Sequence, residues 1–287
     1  MGEALPRRLR LRPGVHVVRR DAGHLQVGID PPRRAIVPDS APVRALLRDL
    51  RAEARPRTEE PETRSALRSL RSAGLVLEGG EAGSEVAADL AARRAAEAQF
   101  GDDAGRRLVA RAAARIGVRA PAGARATAAG LLRAGGLGLA EPGDLPTAWL
   151  VVTADEPLRG EIDPLVREGA PHLLVTCGPA ARIGPLVVPG QTACLRCVDA
   201  HLAEPDPRRQ LVVEQAARSA LSADGAPVDP TLEVLALAWA ARDLARYAEG
   251  DRPATWSATV DLDHASPALR RKWERHPHCG CAWDVVW

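Results

Sequence analysis

Gly184-Pro-Leu-Val-Val-Pro-Gly-Gln-Thr-Ala-Cys194-Leu-Arg-Cys197 is the stretch from which the rest of the chain is read. Its counterpart near the C-terminus is His278-Cys279-Gly-Cys281, and the two pairs hold four of the five cysteines. A C-x-x-C pair lets two thiolates from one tight turn point at one ion, and a second pair from elsewhere closes a tetrahedral shell, as in structural zinc sites. The second pair is C-x-C, a less usual spacing. Zinc held by Cys194, Cys197, Cys279 and Cys281 is the preferred reading. A disulfide pair and free buried thiols are the alternatives. Disulfides need an oxidising compartment, and Met1-Gly-Glu-Ala-Leu-Pro-Arg7 lacks the apolar core of a signal peptide. A shell of four thiolates has no open position, so it implies a structural role without metal catalysis, worth on the order of 10 kcal/mol to the fold.

The 287 residues suffice for one large domain or two ordinary ones, and 46% hydrophobic content supplies a core. No run of about eighteen apolar residues exists, so no membrane span is expected and a cytoplasmic location is. Charge is uneven. Residues 1–75 carry 16 arginines against nine carboxylates, a surplus of seven, whereas the remainder is acidic by five. Such asymmetry predicts two units, the first favouring an acidic partner.

In the first unit, Val15-His-Val-Val18, Leu25-Gln-Val-Gly-Ile29 and Ala35-Ile-Val37 are β-prone runs. Asp21-Ala-Gly23 and Asp30-Pro-Pro32 supply turns between them. Val43, Leu46, Leu47 and Leu50 then fall at i, i+3, i+4, i+7, one face of a helix starting after Asp39-Ser40. A second helix opens at Pro61, continues through Leu67 and Leu70 and stops at Gly74, before a closing strand Leu75-Val-Leu77. This order predicts a winged-helix (α+β) domain over 1–80. Arg12-Pro-Gly-Val-His-Val-Val18 and Leu67-Arg-Ser-Leu-Arg-Ser-Ala-Gly-Leu75 resemble the PqqD-like peptide-recognition element of ribosomal-peptide modification pathways. That resemblance implies that a leader peptide is added as a strand in a groove between residues 34–37 and 64–71. Arg34, Ile36 and Val37 would line it, with Arg64, Arg68 and Arg71 meeting acidic leader residues. A solvated arginine face without a partner is the bland alternative. Winged helices also bind DNA, but the second unit carries no DNA-binding logic, so nucleic acid is not the expected partner.

Residues 81–104 read as a helical linker. From 105 to 287 an α/β rhythm follows. Arg115-Ile-Gly-Val-Arg119, Leu137-Gly-Leu-Ala140, Trp149-Leu-Val-Val-Thr153, His172-Leu-Leu-Val-Thr-Cys177 and Thr255-Trp-Ser-Ala-Thr-Val260 are strand candidates. Helices are expected at 123–134, 163–168, 207–221 and 231–247. Strands alternating with helices imply a doubly wound, mostly parallel sheet. With Ile183-Gly-Pro-Leu-Val-Val-Pro-Gly-Gln-Thr-Ala-Cys-Leu-Arg-Cys197 and His276-Pro-His-Cys-Gly-Cys281, this order resembles the ThiF-like, ubiquitin-activating-enzyme-like adenylation fold. The resemblance implies a structural zinc on the four cysteines. With the first unit included, it extends to the leader-peptide-binding ThiF-like proteins of thiazole/oxazole-modified peptide clusters, which work beside a YcaO-type cyclodehydratase. It also makes a homodimer an expectation by analogy.

Active members of that fold place G-x-G-x-x-G after the first strand. Here Val118-Arg-Ala-Pro-Ala-Gly-Ala-Arg-Ala keeps only Gly123, and Pro121 removes an amide donor. Gly135-Gly-Leu-Gly138 reads as a helix C-cap. Glu141 and Asp155 fall where the resemblance implies the ribose and Mg²⁺ contacts, and each read on its own is an incidental carboxylate. The sole lysine, Lys272, lies far from that region. The expectation is a degenerate nucleotide site with no ATP, hence a non-catalytic scaffold. The rival reading is an ATP-dependent adenylyltransferase acting on a peptide or carrier C-terminus, and a winged-helix DNA-binding regulator is the third. Cys177 reads as a core thiol, with a thioester-forming nucleophile as the bolder alternative. His201 reads as structural and Asp199 as a local cap or pair. His276 and His278 are possible substitute ligands. Trp273, Trp283 and Trp287 read as packing for the metal tail, or as a partner-binding patch.

Overall fold

Period-two alternation and well-placed turns build the first sheet. The computed structural model of the chain describes residues 8–78, 90–220, 227–265 and 267–282. Its contacts divide into two units, Met1–Val109 and Ala110–Trp287.

The first unit runs β1 (Leu9–Leu11), β2 (Val17–Arg19), β3 (His24–Val27), β4 (Ala35–Pro38), α1 (Ala41–Arg51), α2 (Pro61–Ser72), β5 (Val76–Glu78) and α3 (Leu90–Phe100). Strands β2, β3 and β4 form an antiparallel sheet in that order. The β2–β3 turn closes where Asp21 Oδ1 accepts from the Gly23 amide at 2.8 Å. Leu25, Val27, Ala35 and Val37 face inward against Val43, Leu46, Leu47 and Leu50 of α1 and Ala66, Leu67 and Leu70 of α2. Ser40 caps α1, and Pro61 opens α2, where a missing amide hydrogen costs nothing. Gly74 at φ +63 ends α2, with its amide on the Arg71 carbonyl and that of Leu75 on Leu70. β5 then pairs antiparallel with β1. β1 was not anticipated, because three residues with an arginine at the centre carry no strand signature.

Of the stretch read as linker, 81–89 lies outside the described residues. The helix that follows, α3, is bound within the first unit. Arg10 forms an ion pair with Glu97 at 2.9 Å, and Arg33 donates to the Ala98 and Gln99 carbonyls at 2.8 Å each. These guanidinium bonds satisfy carbonyls left open at the helix C-terminus.

After α4 (Ala104–Ala113), which spans the division between the units, the second unit runs β6 (Arg115–Arg119), α5 (Ala122–Ala134), β7 (Gly138–Leu139), β8 (Ala148–Thr153), α6 (Arg159–Arg167), β9 (His172–Cys177), β10 (Ala181–Val187), α7 (Leu195–Ala203), α8 (Arg209–Ala220), α9 (Pro230–Ala248), β11 (Ala258–Leu262) and β12 (Leu269–Lys272). One seven-stranded sheet has the order β12-β11-β10-β9-β8-β6-β7. Neighbours from β7 to β9 are parallel, and those from β9 to β12 are antiparallel. Five strands therefore point one way, with β10 and β12 reversed. The short Gly178–Ala180 link permits only a hairpin between β9 and β10, whereas a parallel return would need a crossover.

Both sheet faces are covered, which is why β8 and β9 are continuously apolar. Leu150, Val152, Leu173 and Val175 face α5 and α9, while Val151 and Leu174 meet Ile162 and Leu165 of α6 and Leu195 of α7. Asp229 caps α9 by accepting from the Thr231 and Leu232 amides. Among the described residues no helix is long and apolar enough to cross a membrane.

Candidate functional site

The turn after β10 delivers the first cysteine pair. Thr192 Oγ1 accepts from the Val188 amide at 2.7 Å, and Gly190 supplies the positive φ that the reversal needs. Cys194 becomes the N-cap of α7 and Cys197 lies in its first turn, so both sulfurs stand at the positive end of a helix, which favours thiolates. The second pair returns from β12. The Cys279 amide donates to the His276 carbonyl at 3.0 Å, and Arg275 bridges the Gly190 and Cys281 carbonyls at 2.9 and 2.5 Å. Sulfur separations are 3.3 Å for Cys197–Cys281, 3.5 Å for Cys194–Cys279 and 3.7 Å for Cys194–Cys197.

All four sulfurs lie within 4.8 Å of one another, and Cys194, Cys197 and Cys279 are buried. A tetrahedral ion with metal–sulfur bonds of about 2.3 Å would set edges of about 3.8 Å. The observed spacing fits that shell and is well beyond the length of a disulfide bond. Without a cation the four thiols cannot all ionise. The Cys194 thiol is pushed up, first by its hydrogen bond to Cys197, whereas Cys197 is held down by the bond it accepts from Cys194. A divalent ion removes this conflict, so the four cysteines can hold a metal ion.

His201, Glu204 and His276 gather beside this cluster. The His278 amide donates to His276 Nδ1 at 3.2 Å, so the neutral ring carries its hydrogen on Nε2, directed at Glu204 Oε1 3.2 Å away. His201 Nε2 is 3.0 Å from the Glu274 carbonyl. These groups form a hydrogen-bonded brace. Trp273 packs on the cysteine cluster and donates to Thr259 Oγ1 at 3.0 Å. Trp283 and Trp287 lie outside the described residues.

In the first unit, the ladder parity decides which residues reach the outer edge of β4, which pairs with no further strand among the described residues. The Asp39 amide donates to Gly23, that of Gly28 to His16, and that of Arg20 to His24. Antiparallel partners alternate between bonded and non-bonded pairs. Odd-numbered residues of β3 therefore bond β4, and Ala35 and Val37 spend their backbone on β3. Arg34, Ile36 and Pro38 direct theirs outward. Val37 is core, 1% exposed, while Ile36 is 44% exposed. Of the expected strand residues, Arg34 and Ile36 thus line the edge and Val37 supports it from beneath. On α2, which packs against β4, Arg64 is turned onto the Thr58 and Glu59 carbonyls and Arg71 onto Glu78.

The residues of the nucleotide reading each follow the C-terminal end of one of three neighbouring parallel strands, Gly123 after β6, Glu141 after β7 and Asp155 after β8. Gly123 is in the first turn of α5, whose N-cap, Pro121, offers no side-chain bond. The Glu141 amide is held by Asp144, and Asp155 caps a turn by accepting from the Glu156 amide. A cavity of about 420 Å³ opens at the ends of β6 and β8, lined by Arg119, Val151, Thr153 and Glu161 but by none of those three residues. In doubly wound sheets this reversal of strand order is where ligands bind. Here Arg119 is stacked on Trp149, 4.4 Å from the ring centre. Gly135 and Gly136 form the end of α5.

Cys177 is 1% exposed, and burial pushes its thiol up to about 11, conditions that suit a core thiol and not a nucleophile. Asp199 accepts a bidentate pair from buried Arg159 at 2.6 and 2.7 Å, and Arg159 also reaches Glu156 and the Pro157 carbonyl. Arg159 was missed, since no local pattern links residues 40 positions apart.

A small mixed unit followed by a mixed α/β sheet, with four cysteines gathered beside it, is a fold that this chain shares with several solved structures. The heterocyclase TruD matches with a TM-score of 0.70 at 18% identity, over 96% of this chain and 43% of that one. A heterocyclase in complex with substrate and cofactor matches at 0.69 and 16%, over 97% and 40%. E. coli MccB with succinimide matches at 0.66 and 13%, over 97% and 100%. The chain thus spans about two fifths of the heterocyclases and the full length of MccB. No protein-family model matches the sequence, and no curated protein matches it.

Proposed function

We propose that this chain is a non-catalytic adaptor. It binds the leader of a ribosomally made precursor along β4 and α2 and presents it to a YcaO-type cyclodehydratase in the cytoplasm. The observation that carries this reading is the open β4 edge with Ile36 displayed on it. A strand edge beside a helix is a general means of holding an extended peptide. The fold likeness supports it, since one neighbour is a heterocyclase solved with substrate and MccB was solved with MccA. The proposal treats residues 1–80 as a winged-helix recognition domain, and the four-cysteine site as structural zinc, the metal best suited to a closed thiolate shell.

A second reading, an adenylyltransferase, is favoured by the cavity at the ends of β6 and β8 and by the likeness to MccB, solved also with ATP. Pro121 and the stacked Arg119 weigh against it, because triphosphate chemistry needs amide donors and free cations at that place. The test uses the full chain and the N-terminal half of a short precursor encoded beside its gene. Saturable micromolar binding without ATP–pyrophosphate exchange is expected. Exchange above background would replace the adaptor reading with the enzyme, and no binding would remove the peptide role.

A further inference from the structure

Val18, Gln26 and Ile36 lie level with one another on β2, β3 and β4. They form one row across the outer face of the sheet. Val18 is 46% exposed and Ile36 44%. Gln26 between them is already satisfied. Its amide donates to the Gly28 and Ile29 carbonyls at 2.9 and 3.1 Å, and its oxygen accepts from Arg20 at 2.5 Å. The row therefore offers aliphatic contact, and it ends at the free edge.

Proteins usually blunt exposed edges with charge. β12 follows that rule, with Arg270, Arg271 and Lys272 in four exposed residues. β4 does the opposite, since its central outward residue is a β-branched hydrocarbon whose amide and carbonyl point away from the sheet. Pro38 has no amide hydrogen, so any added ladder stops there and Ile36 lies at its centre.

An added strand, running in either direction, puts the side chain level with Ile36 on the same outer face. We propose that the segment recognised at β4 carries an aliphatic or aromatic residue at that level, extending the Val18–Gln26–Ile36 row by one strand, and that Ile36 selects it. The arginines of α2 would then add long-range attraction, while the apolar contact sets the sequence. This inference rests on the reading of β4 as the peptide edge.

A displayed library of random twelve-residue peptides would be selected against the full chain, its Ile36→Val and its Ile36→Asp variants. Hydrogen exchange at the Ile36 amide would be measured with the winning peptides. Expected are protection of that amide, enrichment of one apolar position, retention with Ile36→Val, and about tenfold weaker binding with loss of the enrichment in Ile36→Asp. Unchanged circular dichroism in both variants separates this from misfolding. A folding failure of Ile36→Asp leaves the decision to Ile36→Thr, which should weaken binding severalfold. Amide protection without apolar enrichment, or equal binding by the polar variants, overturns the inference and leaves the peptide edge standing. Selected peptides that leave the amide unprotected, or an empty selection, overturn both.

Discussion

Cys194 and Cys279 stand 85 positions apart in the chain, yet their sulfurs lie 3.5 Å from each other. Four sulfurs so close and so buried are stable as thiolates only around a cation. Purified protein is expected to carry one metal equivalent by elemental analysis. Cys279→Ser should release it and lower the thermal midpoint by roughly 10 °C or more, as loss of several kcal/mol of binding energy would. A variant that keeps both its metal and its midpoint would refute the site.

Arg159 and Asp199 join α6 to α7 through a bidentate ion pair whose side chains are 5% and 8% exposed. Removing Asp199 leaves the buried guanidinium with Glu156 as its one remaining carboxylate partner. Asp199→Ala is expected to cost about 3–5 kcal/mol in urea unfolding. A loss below 1 kcal/mol, the scale of surface pairs, would show that water reaches the guanidinium.

His172 at the start of β9 is 1% exposed, and burial holds its imidazole below the ordinary 6.5, with Arg119 pushing the same way. Its Nδ1 faces the Ala170 carbonyl at 2.9 Å and its Nε2 meets no partner. The unfolded chain therefore takes up the proton first. Stability should be full above pH 6.5 and fall as pH drops toward the depressed value, at most about 1.4 kcal/mol per pH unit. His172→Gln should flatten this slope in denaturation curves taken between pH 7.5 and 5. An unchanged slope would assign the acid sensitivity elsewhere.

Gly184 sits at φ +96, and an added Cβ would collide with the Ala258 carbonyl oxygen on β11. Gly184→Ala is expected to destabilise the second unit by about 2–4 kcal/mol, combining left-handed strain with overpacking. Wild-type stability would mean that β10 and β11 can part without cost.

Much of this architecture can be read along the chain because its signals are local. Val43, Leu46, Leu47 and Leu50 mark α1 at helical spacing, and all four are buried. The unbroken apolar runs of β8 and β9 announce a sheet covered on both faces. The α6 helix begins at Arg159, earlier than the expected 163, because its first turn holds Arg159 on Asp199 and not because of any local stripe. β10 and β12 escaped notice for different reasons. Gly184-Pro185 interrupts the first, and the second shows four exposed, mostly cationic residues.

By itself the sequence determined the order of most strands and helices and picked out the four cysteines that cluster, since turn chemistry, periodicity and cysteine spacing act between near neighbours. Tertiary structure alone decided that β10 turns back on β9, that Arg159 meets Asp199, and that Ile36 and not Val37 faces the open edge. Those outcomes depend on strand pairing and on contacts between distant segments, which no stretch of residues encodes before the chain has closed.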